Sequence, residues 1–100
     1  MQRIFYSGDS VLTGTDIART LLEYASALAQ NDTSDTVNIP VLRDDGSIAR
    51  AMLLIGPASQ LIAEDEETDQ PELRDDVLVA RMKASTTELS APRAVSTQAA

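Results

Sequence analysis

The 100-residue chain contains no cysteine and no histidine. Without thiols there is no disulfide, no thiolate metal site and no thiol nucleophile. Without imidazole, the usual general base near neutral pH and the commonest transition-metal ligand are both missing. No cofactor and no metal are expected. Aromatic residues are scarce, with Phe5, Tyr6 and Tyr24 and no Trp. The core must therefore be aliphatic, and stacking on single-stranded nucleic acid lacks its platform. The longest wholly apolar run, Ala51 to Ile55, is too short to cross a membrane. The first residues, MQRIFYSGDS, lack the apolar stretch of about 7–15 residues that marks a signal peptide. That and the absence of cysteine predict a cytoplasmic location.

Positive charge is also sparse: eight Lys and Arg residues against sixteen Asp and Glu, for a formal net charge of −8. Half of the acids fall between Glu64 and Asp76, where EDEETDQPELRDD carries eight carboxylates and one Arg. The chain on either side is close to neutral. This balance repels phosphate backbones and anionic lipid surfaces, so neither nucleic acid nor membrane is an expected partner. A localised acidic strip instead suits a basic protein partner. Glu64, Asp65, Glu66, Glu67 and Asp69 are the candidate contact residues, since Glu72, Asp75 and Asp76 have a reading as helix N-terminal charges.

A hydrophobic content of 43% in 100 residues predicts one small globular domain. Arg3 to Ser7 reads as a short strand, Gly8-Asp9 as a turn, and Val11-Leu12 as a return strand. Ile17, Leu21, Tyr24 and Leu28 recur at helical spacing, widened by Ala18, Leu22, Ala25 and Ala29, which predicts an amphipathic helix over 16–30. Thr13 or Thr15 is its expected N-cap. Val37, Ile39 and Val41 alternate as a strand, which Pro40 assigns to a sheet edge or to a position with its nitrogen toward solvent. Asp44-Asp45-Gly46-Ser47 is a turn, so 37–43 and 48–55 form an antiparallel hairpin. The run Ala51–Ile55 is apolar on both faces and reads as the most buried strand. Gly56-Pro57 stops it, and 58–63 has the composition of a short helical turn. Beyond Pro71, acids precede Arg81 and Lys83 along an apolar periodicity of Leu73, Val77, Ala80 and Ala84. Leu78 and Met82 broaden it, predicting a C-terminal helix over 72–89, with a strand as the alternative because Val77, Val79 and Arg81 also alternate with Leu78, Ala80 and Met82. The whole is an α+β domain: a compact body over 1–63, an acidic linker over 64–71, the C-terminal helix, and a disordered tail over 90–100. Unpaired sheet edges and a loosely held helix leave room for a homodimer.

Ser7-Gly8-Asp9-Ser10-Val11-Leu12-Thr13-Gly14 resembles the nucleophile block of the GDSL hydrolases. The resemblance spans Phe5 to Gly14, a tenth of the chain, and implies Ser10 as a nucleophile near a strand-to-helix junction. Such a hydroxyl needs a neighbouring base, which that family supplies with a late Asp-x-x-His pair. This chain has no His, and Lys83 is its single Lys. A turn followed by a helix cap accounts for the same residues, so no catalytic residue is assigned. Asp44 and Asp45 are explained by their turn. Ser59 and Gln60, a polar pair leaving the end of a strand, are the candidate ligand-binding residues. The expected function is that of a small acidic interaction or accessory protein without enzymatic activity. A serine hydrolase acting through Ser10 and a small-molecule-binding domain are the alternatives.

Overall fold

In the computed structural model, which describes residues 1–91, the chain first reverses at Ser7-Gly8. Both residues have positive φ, 50° and 80°, as a two-residue type I′ hairpin turn requires. This turn joins strand β1 (Gln2–Tyr6) to β2 (Asp9–Thr13). Helix α1 (Thr15–Gln30) follows, then β3 (Asp35–Leu42), β4 (Ile48–Ile55), β5 (Leu61–Asp65) and helix α2 (Asp76–Ser90). Among the described residues five strands form one antiparallel sheet in the order β4-β3-β2-β1-β5.

The sheet is strongly curled. The Tyr6 hydroxyl on β1 donates to the Leu54 carbonyl on β4 at 2.9 Å. In a flat sheet these strands would lie three spacings apart, about 14 Å, beyond the reach of a tyrosine side chain. The far end of β4 has therefore swung toward the β1–β5 side, and Gly56–Gln60 bridges the remaining gap to β5.

Alternation sends Ile4, Val37, Ile39, Val41, Leu53 and Ile55 to the inner face of the sheet, where they are buried with the helices. From α1 come Ile17, Leu21, Tyr24 and Leu28, the stripe expected from sequence. Helix α2 packs against α1 through Leu78 and Met82, which are 8% and 3% exposed. Val77, expected on the buried stripe, is 71% exposed. The apolar face of α2 is rotated toward 78 and 82, because Leu73 lies outside the helix and does not set its phase.

Several local expectations are corrected. Strand β4 is an edge strand, not the most buried one. Its outward residues Ile48, Met52 and Leu54 are 59–71% exposed, since the helices cover the inner face alone. Pro40 lies on an interior strand. However, β2 meets β3 at the single pair Leu12–Leu42, so the missing N–H falls where that ladder has ended. The Pro40 carbonyl accepts from the buried Thr13 hydroxyl at 2.7 Å. Residues 61–65 form a strand instead of a helical turn, because β1 offers a free edge that pairs with them over five positions. The boundary placed after Ala63 thus falls inside β5, and Glu64 and Asp65 belong to the sheet.

Helix caps also differ. No side chain of the first hairpin caps α1; the Glu72 carboxylate accepts the Thr15 N–H at 2.5 Å from fifty-seven residues away. Helix α2 starts at Asp76, four residues later than expected, with the Asp75 carboxylate accepting from the Leu78 N–H at 3.1 Å. The helix ends at Ser90, ahead of Pro92, and the tail expected over 90–100 lies outside the described residues from position 92.

Candidate functional site

After β5 the chain turns across the outer face of the sheet. Arg3, on β1, holds this crossing with two parallel bonds to Glu66, Nε to Oε1 and Nη2 to Oε2, both 2.7 Å. Such bidentate pairs are the strongest of their kind. Arg3 keeps the Glu66 carboxyl below its usual range, and Glu66 raises the guanidinium in return. The pairing sets residues 66–70 against the β3–β4 turn. There the Asp45 carboxylate accepts from the Ser47 N–H at 2.9 Å and from its hydroxyl at 2.6 Å, and these bonds lower its pKa.

The result is a cleft of about 340 Å³ in which Asp44 and Asp45 face Glu66, Glu67 and Asp69. The Arg3–Glu66 pair cancels within the cleft, which leaves four carboxylates, Asp44, Asp45, Glu67 and Asp69, against the single guanidinium of Arg43. Such a surface favours cations and basic side chains. Among the described residues, no three acidic side chains converge closely enough to hold a metal ion.

The structure therefore divides the five acidic contact residues expected from sequence. Glu66, Glu67 and Asp69 line the cleft. Glu64 lies on β5, opposite Arg3 on the outer face, and Asp65 accepts a hydrogen bond from the Gln2 amide. Asp44 and Asp45, which sequence explains as turn residues, turn out to be cleft walls as well. No sequence signal announces that meeting, because twenty residues separate the two acidic groups.

A larger cleft, about 630 Å³, opens where the curled sheet approaches itself. Phe5, Leu54, Pro57 and Ile62 contribute apolar surface, with Ser59 and Gln60 beside them. No lining side chain carries a charge at neutral pH. The Ser59 hydroxyl accepts the Gly56 N–H at 3.0 Å and so serves the turn. Gln60 is exposed, and its side chain makes no hydrogen bond among the described residues. The cleft can accept an apolar group and offers one free amide at its rim.

Ser10 sits within β2, opposite Phe5, and not at a strand-to-helix junction. Its hydroxyl accepts from Arg3 Nη1 at 3.1 Å. A guanidinium donates hydrogen bonds but cannot take a proton from serine. Comparison with protein-family models, with curated proteins and with solved structures found no match.

Proposed function

We propose that this protein is a non-enzymatic interaction module of the cytoplasm that holds a basic segment of a partner protein. The observation that carries this reading is the meeting of Asp44 and Asp45 with Glu66, Glu67 and Asp69 in one cleft. A basic side chain placed there gains from several carboxylates at once, and exposed charges of this kind are screened over about 10 Å at 0.1 M salt. Titration with a Lys- and Arg-rich peptide should show binding that weakens as salt rises. The double change Glu67→Gln and Asp69→Asn should weaken it further. Unchanged affinity in that variant would sink the reading.

A second reading, a small-molecule site, is supported by the size and neutrality of the cleft beside Ser59 and Gln60. Its volume falls within the roughly 300–1,000 Å³ of such sites. Stabilisation in a thermal-shift screen, lost on Gln60→Ala, is its expected signature. Catalysis through Ser10 is disfavoured by the absence of His and by the arginine bonded to its hydroxyl. A serine-reactive phosphonate should leave Ser10 unlabelled. Self-association would engage the apolar outer face of β4, and sedimentation reports it directly.

A further inference from the structure

Among the described residues strand β5 ends the sheet, and its ladder with β1 fixes which of its groups point outward. The Glu66 N–H donates to the Met1 carbonyl at 3.0 Å. In an antiparallel pair such bonds alternate along the strand, so Glu64 and Ile62 also turn their backbone groups toward β1. The N–H and C=O groups of Leu61, Ala63 and Asp65 therefore point away from the sheet. None of them makes a backbone hydrogen bond outside the sheet's own ladders among the described residues. On the outer face along this open edge lie Ile62, 60% exposed, and two residues on, Glu64, also exposed. The uncharged cleft adjoins the Ile62 end, and the acidic crossing begins at the other.

We propose that an extended segment of a partner protein adds to β5 as a sixth antiparallel strand, with a basic residue opposite Glu64 and an apolar residue opposite Ile62. This deepens the interaction-module reading and rests on it. Residues directly opposite on neighbouring strands share a face, and antiparallel order reverses their sequence. The recognised pattern is therefore basic-x-apolar in the partner. Backbone pairing supplies general attraction, and the two side-chain positions supply selection. The opposite edge carries no such selection. On β4 the Leu54 carbonyl is taken by Tyr6, and Arg50 is bound to Asn38 and lies 3.5 Å from Asp75. The exposed side chains left there, Ile48, Met52 and Leu54, are apolar and cannot discriminate by charge.

The test uses the capped peptide Thr-Thr-Arg-Thr-Val-Thr-Thr, its counterpart with Glu in place of Arg, and an unstructured Lys-rich peptide, each titrated into the labelled full chain. Amide resonances of Leu61, Ala63 and Asp65 should shift most with the Arg peptide. The Glu peptide should bind about fivefold more weakly, as expected for one cross-strand charge pair. Glu64→Lys, an exposed change that leaves the core intact, should reverse that preference. Shifts confined to Asp44, Asp45 and Glu66–Asp69 would retain the acidic-cleft reading and overturn the strand pairing. Shifts centred on Ile48–Leu54 would overturn it in favour of the other edge. Silence toward all three peptides would overturn both the pairing and the reading beneath it.

Discussion

Tyr24, Gly14 and Glu72 show how much of this fold depends on single atoms meeting at a distance. The Tyr24 hydroxyl donates to Asp35 Oδ2 at 2.6 Å, joining α1 to the start of β3. Burial, assisted by that carboxylate, pushes its pKa from 10.0 up to about 12. A raised pKa means the folded state keeps the proton after the unfolded chain has lost it. The stabilisation is thus complete below pH 10 and disappears as pH rises toward about 12. Tyr24→Phe should cost about 1 kcal/mol at neutral pH, a lost hydrogen bond. Denaturant melts should show the gap between wild type and variant narrowing across that alkaline window. Gly14 answers a different need, since a Cβ there would overlap the backbone carbonyl oxygen of Leu73. Gly14→Ala must displace the segment that leads into α2, and should cost about 3 kcal/mol in a urea titration.

At the scale of elements, α1 was legible in the sequence because its apolar positions repeat cleanly, and every residue of the stripe Ile17, Leu21, Tyr24 and Leu28 is buried. Helix α2 was legible as a helix but not in its phase. Leu78→Ala or Met82→Ala should destabilise by about 2–3 kcal/mol, through lost burial and the cavity left behind. Val77→Ala should stay within about 0.5 kcal/mol, as exposed substitutions do. Equal effects at 77 and 78 in thermal melts would place the apolar face where sequence periodicity had put it. Strand β5 was the least legible element. Its five residues, Leu61 to Asp65, have no alternation that distinguishes a strand from a turn, and pairing with β1 decides the matter. The same pairing explains the candidate site. Sequence marks Ser59 and Gln60 as a polar pair at a strand end, but the cleft beside them exists because β4 and β5 converge around Gly56–Gln60.

Across the whole molecule, charge is deployed structurally as well as at the surface. Glu72 caps α1, Glu66 ties the crossing to Arg3, and Asp75 caps α2. The Thr15 N–H, with the Met1 ammonium nearby, lowers the Glu72 pKa, and Arg3 lowers that of Glu66. A depressed pKa gives stability that is present above the ordinary carboxylate range and is lost as pH falls through the folded value. Glu72→Gln should cost about 1 kcal/mol at neutral pH, because the amide oxygen can still accept the Thr15 N–H but brings no negative charge to the N-terminus of α1. The difference from wild type should fade as pH falls below about 4, where the unfolded carboxyl takes up its proton before the folded one does. The amino-acid sequence by itself determined the chemical limits, with no thiol or imidazole chemistry, an aliphatic core and a concentrated acidic strip. It also determined α1 and the two hairpins, because periodicity and turn residues act over a few positions. Tertiary structure alone decided that β4 is an edge, that residues 61–65 are a strand, and that Asp44 and Asp45 face Glu66, Glu67 and Asp69. Those outcomes depend on which strand finds a free edge and on how far the sheet curls. Both are set by contacts between residues remote in sequence, which no local pattern encodes.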